Sequence, residues 1–320
     1  MAERSAFRVS HSALKVALMS ALLIHPLYGF YSSLDRFALD PSKVAAAYDV
    51  NDKLNDLPLS SSFAHAMAPG ESLRIVINAA SCKMNVIAAG PVGEHVVAVY
   101  DVAVGSPEHE SPVLRGAIQR IEWNPDWIPP HSFWARNEHY KPPGPQNPLG
   151  KVRMNIFEDY YVHGTTNEKS IGLQASHGCV RMRRTDVVGL AMTLQDLYGI
   201  DKDNVDIINT WRPETVRLSR AIPVSLIYNL VSIVDTHLVI FADSYKNSPD
   251  LLKLVNESLL KNNWLVSFID QDKLKNILAA GTGKRLDIDI DGLFLPDKPH
   301  RFITTTADDF LPYTWVSNLD

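Results

Sequence analysis

Two histidines and one cysteine carry the reactive chemistry of this chain. His163 is followed by Gly164 and Thr165. Sixteen positions after His163 stands Cys179, within Ser176-His177-Gly178-Cys179-Val180-Arg181-Met182. A thiol attacks a carbonyl carbon only as its thiolate, and a nearby imidazole can take the proton. A glycine before the nucleophile gives backbone N–H groups room to approach a developing oxyanion. These residue types point to thiol acyl transfer. Cys179 is the candidate nucleophile, and His163 or His177 can serve as its base. Gly178 and the Cys179 N–H are the natural donors to an oxyanion. Arg181 suits bidentate bonds to a loop or a substrate carboxylate. Ser176 can bond locally or face the substrate. The bland alternatives are an inert buried thiol and a core histidine capping a turn.

The elements that must position these groups read as strands. Leu73, Ile75 and Ile77 alternate with Arg74, Val76 and Asn78, and Cys82, Met84 and Val86 continue the pattern. Residues 95–104, 117–123, 152–157 and 160–163 are further strand-like runs. Short strands, proline and glycine turns and few helices indicate a mostly β domain, a sandwich or barrel. Residues 124–150 are proline-rich and without period, the character of a functional loop that can act as a lid. After Cys179 one helix is expected, capped by Thr185, with Asp186 in its first turn and Gly199 at its end. Its N-terminus would help lower the thiol pKa if close.

Three ordered motifs give this chain a resemblance to the L,D-transpeptidases, the YkuD domain. The first is the His-Gly pair at 163–164 followed by Ser-His-Gly-Cys-Val-Arg at 176–181. The second is Trp123-Asn124-Pro125-Asp126-Trp127-Ile128-Pro129-Pro130. The third is Pro143-Gly144-Pro145-Gln146-Asn147-Pro148-Leu149-Gly150. The resemblance covers about 73–208, under half of the chain. It implies a barrel-like or sandwich β fold with one or two helices. It makes Cys179 the nucleophile, His163 the base and later the acid, with His177 in a supporting role, and the Gly164 carbonyl the group that orients His163. Its substrate is a peptidoglycan tetrapeptide stem and its product an L,D cross-link. Trp127 and Trp123 would then be candidates for lining the peptide groove, although aromatic residues near proline more often serve packing. The competing readings are a carboxypeptidase- or endopeptidase-type hydrolase on the same scaffold, a non-catalytic wall-binding protein, and a redox thiol protein.

Composition narrows the rest. A net charge of −5 gives no case for nucleic-acid binding. Two cysteines do not make a disulfide framework. A structural zinc needs four ligands, and His163, His177 and Cys179 supply three. No cofactor is called for. Arg4, Arg8 and Lys15 precede an apolar run from Val16 to Ile24, the layout of an export signal or membrane anchor. The expected organisation is signal or anchor at 1–34, connector at 35–71, catalytic domain at 72–208 and an α+β extension at 209–320. The expected location is the periplasm or cell envelope. Within the extension, 222–228 and 236–242 read as a hairpin. Helices are expected after Pro249 and, capped by Asp270, from 271 to Gly281. Asp287 to Gly292 matches half of a calcium loop, yet position twelve is Lys298 where glutamate is needed, and an edge strand fits as well.

Overall fold

The computed structural model describes residues 63–200, 210–247 and 250–301. The export segment, most of the connector, the strand expected at 205–208 and the Ser248-Pro249 helix start lie outside these residues.

Nine strands build the main sheet: β1 (Ser72–Asn78), β2 (Lys83–Gly90), β3 (Gly93–Gly105), β4 (Leu114–Trp123), β5 (Val152–Phe157), β6 (Tyr160–His163), β7 (Gln174–Ser176), β8 (Val180–Met182) and β9 (Glu214–Ile227). The order is β2-β1-β9-β4-β5-β6-β8-β3-β7, and β3 also pairs with β2. That second pairing closes eight strands into a barrel and leaves β7 appended to β3. Closure removes the unpaired edges an open sheet would expose. The expected mostly β fold is therefore a barrel. β1–β9, β6–β8 and β3–β7 run parallel.

The alternation seen in the sequence is the inside–outside pattern of this barrel. Leu73, Ile75, Ile77, Met84, Val86, Val102, Ile118, Ile121 and Met154 are buried in one cluster. Each fully buried side chain of this kind contributes roughly 1.5–3 kcal/mol. Helix α1 (Arg184–Tyr198) lays Val187, Leu190, Ala191 and Leu194 against the same core. Cys82 is buried as expected but sits before β2, in a turn where its φ is 52°.

Two local expectations are corrected. Thr185 does not cap α1: the N-cap is Arg183, without a side-chain cap bond. Glu168 Oε1 instead accepts the Arg184 N–H from another loop, at 3.2 Å. Residues 222–228 are not a hairpin arm. They end the long β9, which pairs with both β1 and β4. The β-alternation extends back through Leu218 and Val216, on the far side of the polar Ser219-Arg220, so the run looked shorter than it is. The hairpin is β10 (Val231–Val234) with β11 (His237–Ile240).

That hairpin, β12 (Leu286–Asp289), α2 (Leu251–Lys261) and α3 (Gln271–Ala280) surround a second core of Leu238, Ile240, Val255, Leu259, Trp264 and Leu274. Asp270 caps α3 by accepting the Lys273 N–H at 2.9 Å, and Asp250 caps α2 in the same way. Residues 287–289 form the edge strand, with Asp287 bonded to His237 at 2.7 Å.

Candidate active site

β6 and β8 lie side by side in parallel, with Val162 opposite Val180 and His163 opposite Arg181. Extending this register by one residue places Tyr161 against Cys179. Side chains alternate along a strand, so Cys179, His163 and Arg181 share one face. Cys179 and Arg181, sixteen and eighteen positions after His163 in sequence, are thereby brought onto its face by a single strand pairing.

His163 is 6% exposed, and its Nδ1 lies 2.5 Å from the Gly164 carbonyl oxygen. A carbonyl only accepts, so Nδ1 carries the proton and Nε2 keeps its lone pair for the thiol. Burial lowers the His163 pKa to about 4, with Arg181 and Arg153 adding to the shift against the Gly164 carbonyl. The imidazole is therefore neutral at physiological pH. The sequence places Gly164 beside it for a steric reason: a Cβ there would come 3.0 Å from the Leu149 carbonyl oxygen and 3.5 Å from Gly150 Cα. The Asn-Pro-Leu-Gly motif thus packs its end against the His-Gly pair.

Cys179 is a free thiol, and its Sγ donates to the Asp159 carbonyl at 3.5 Å. Burial raises its pKa, and the Tyr161 N–H, Arg181 and Arg153 oppose the rise. The expectation of a thiol lowered by the helix end is thus not met: β8 intervenes between Cys179 and α1, and desolvation dominates. The half-buried thiol thus shares a strand face with the neutral imidazole, and catalytic hydrogen bonds often form only once substrate is bound.

The turn before Cys179 is tightly bonded. Gly178 has φ +114°, a conformation that suits glycine. Ser176 Oγ accepts the Gly178 N–H at 3.1 Å and donates to the Cys179 carbonyl at 2.6 Å. Ser176 is 2% exposed, so its hydroxyl serves the turn and does not face a substrate. Because the Gly178 N–H is used in this way, the Cys179 N–H is the remaining candidate oxyanion donor of the pair. Arg181 Nη1 donates to the Ala175 carbonyl at 3.2 Å and supplies positive charge to the site.

The proline-rich segment is a braced loop. Buried Asn147 donates from Nδ2 to the carbonyls of Pro125, Lys141 and Pro142, and its Oδ1 accepts the Leu149 N–H. Trp127 bridges to Lys141 by paired backbone bonds, and Lys141 Nζ lies 4.7 Å from its ring centre. Trp127 therefore holds the loop together. Trp123 is core, its Nε1 donating to Gln195 Oε1 at 2.9 Å. The residue that reaches the site is Trp134, which the motifs did not mark. It stacks on His177 with ring centres 3.9 Å apart, and His109 leans on the same imidazole at 4.9 Å. Desolvation, His109 and Arg181 lower the His177 pKa. The signal for Trp134 was only its place in a long aromatic-bearing loop.

Residues 72–207 match the family model described as YkuD, the L,D-transpeptidase catalytic domain. The chain is similar to the probable L,D-transpeptidase YbiS of Escherichia coli, 31% identical over 121 residues, 35% of this chain and 39% of that protein. It is 25% identical to the probable L,D-transpeptidase YcfS of Escherichia coli over 236 residues, covering 69% of this chain and 66% of that one. The match with YbiS thus spans about two fifths of that relative's length. Among solved structures, an L,D-transpeptidase from Mycobacterium smegmatis aligns over 49% of this chain and 59% of its own, with TM-score 0.33 and 13% identity.

Proposed function

We propose that the protein is an exported cysteine L,D-transpeptidase acting on peptidoglycan stem peptides in the periplasm or cell envelope, a reading supported by the match of residues 72–207 to the YkuD family model. The observation that carries the reading is the His163 Nδ1 contact with the Gly164 carbonyl, which leaves Nε2 as the free base on the face that holds Cys179.

The steps follow from these groups. His163 Nε2 takes the Sγ proton as Cys179 attacks the carbonyl between the L-centre of the diamino acid and the terminal D-residue. The oxyanion forms against the Cys179 N–H, where one such donor accounts for roughly 10²–10³ in rate. The tetrahedral intermediate collapses and the C–N bond breaks. Protonated His163 returns its proton to the departing amine, so a thioester and a free D-amino acid result. An acceptor amine then attacks the thioester, loses a proton to His163, and the thiolate leaves to be reprotonated. Burial of His163 suits a base that begins and ends each half-reaction neutral. The export segment at 1–34, cleaved or kept as a cytoplasmic-membrane anchor, would deliver the domain to its substrate.

The test is mass spectrometry of the full chain incubated with a disaccharide-tetrapeptide, beside Cys179→Ala. A cross-linked dimer lacking one D-residue, made only by the unmodified chain, is expected. Shortened monomer without dimer would assign the hydrolase reading instead, and turnover by Cys179→Ala would overturn the nucleophile.

A further inference from the structure

The segment after β11 returns from the second core to the barrel. Tyr245, 6% exposed, is part of the barrel's own core cluster, although the strands and helices on either side of it belong to the other one. Its ring stacks on Tyr228 with centres 4.5 Å apart, and its N–H donates to the Tyr228 hydroxyl at 3.0 Å. The Tyr228 hydroxyl in turn donates to Asp243 Oδ1 at 2.9 Å. Tyr245 is thus locked in place from its own side.

Its hydroxyl faces the loop between β3 and β4. It donates to the Gly105 carbonyl at 2.7 Å and accepts the Ser111 N–H at 3.4 Å. Ser111, 3% exposed, accepts the Gly105 N–H on Oγ at 2.8 Å and donates from Oγ to the Gly178 carbonyl at 2.6 Å. Asn247 adds a bond from Nδ2 to Glu110 Oε2 at 3.2 Å. A continuous path of hydrogen bonds therefore joins the C-terminal extension to the residue before the nucleophile.

The last bond of that path has a geometric consequence. The Gly178–Cys179 peptide is trans and planar, so its N–H points opposite its C=O. Fixing the Gly178 carbonyl fixes the direction of the Cys179 N–H. Gly178 has no side chain to restrict it, so the plane must be held from outside. A hydrogen-bonded carbonyl also polarises its amide and strengthens the N–H as a donor.

We propose that Tyr245 is a positioning residue for Cys179: through Ser111 it aims the Cys179 N–H at the oxyanion, so that the extension completes the active site of the barrel. This rests on the reading of Cys179 as an acyl-accepting nucleophile. It gives residues beyond the matched domain a part in the reaction.

The test compares two reagents on the full-length chain, with labelling of Cys179 read by mass spectrometry. Acetylation by p-nitrophenyl acetate passes through an oxyanion, whereas alkylation by iodoacetamide does not. Tyr245→Phe keeps the ring, the stack and the burial, and removes both hydroxyl bonds. It should slow acetylation on the order of tenfold, part of what loss of an oxyanion donor costs, and leave the rate and pH profile of alkylation unchanged. Ser111→Ala should do the same and Ser111→Thr should restore acetylation. Adding Tyr245→Phe to Ser111→Ala should change nothing further, because the two act through one path. Unchanged acetylation in Tyr245→Phe overturns the proposal. So does an equal fall in both reactions, which would mean a merely structural role. Additive losses would also overturn it. Failure of the transpeptidase reading shows separately, as absence of tetrapeptide turnover by the unmodified chain, while both labelling rates remain measurable.

Discussion

Lowering the pH from 7 to 4 tests the buried imidazole directly. Burial holds the His163 pKa at about 4 in the folded chain, against roughly 6.5 for an ordinary histidine. Between these two values the unfolded chain binds a proton that the folded chain refuses. Stability therefore rises with pH across this window and is lost as pH falls from 6.5 towards 4. That difference corresponds to roughly 3 kcal/mol, nearly all of it gone by pH 4. Other groups titrate in the same range, so the measurement is a difference. Urea unfolding of the full chain is followed at pH 7 and pH 4, beside His163→Gln, which keeps a neutral polar side chain. The unmodified chain should lose roughly 3 kcal/mol more than His163→Gln over this span. Acetylation of Cys179 should correspondingly hold its rate down to about pH 5, with an acid limb near 4 in place of the ordinary histidine range. Equal acid sensitivity in the two proteins, or an acid limb at about 6.5, would refute the claim that the base is buried and neutral.

Other substitutions probe the supports of the site. Asn147→Ala strips a buried donor and acceptor from four backbone groups of the loop; a loss of roughly 2–3 kcal/mol in urea unfolding is expected. Gly164→Ala forces a Cβ against the Leu149 carbonyl and should cost about 1–3 kcal/mol, with tetrapeptide turnover falling as His163 is displaced. Trp134→Ala uncovers His177; NMR titration should show its pKa moving up as desolvation is relieved, and KM for the tetrapeptide should rise more than kcat falls. Asp270→Ala removes the α3 cap and should destabilise the second core by about 1 kcal/mol, with no change in Cys179 acetylation.

Much of the barrel was legible because period-2 alternation survives along parts of β1, β2 and β5, where one face meets the core. The strand at 152–157 has the limits that its alternation indicated. β7 and β8 escaped notice because three residues cannot display a period, and their identity as strands depends on neighbours far away in sequence. The same nonlocality hid the true length of β9. At the candidate site, the thiol and the two histidines could be named from type and spacing, and the choice of His163 and the Gly164 carbonyl from the family resemblance. The sign of the Cys179 shift could not, since it depends on how much apolar surface folds over the thiol. The thiol's acceptor, Asp159, and the aromatic partner of His177, Trp134, are meetings between loops. No local pattern encodes such meetings.

The barrel's closure also has an order in time. β9 lies between β1 and β4, yet it follows Cys179 in the chain by more than thirty residues. As the polypeptide emerges from a ribosome or an export channel, Cys179 appears before the strand that seals the barrel. Until Ile227 is free, β1 and β4 present unpaired edges, the kind of surface that recruits other chains. A fragment cut at residue 207, where the family match ends, would keep His163 and Cys179 and leave this gap permanently open. Expression of the domain on its own therefore has to run through β9, and through Tyr245 if the nucleophile turn is to be held as it is in the whole protein.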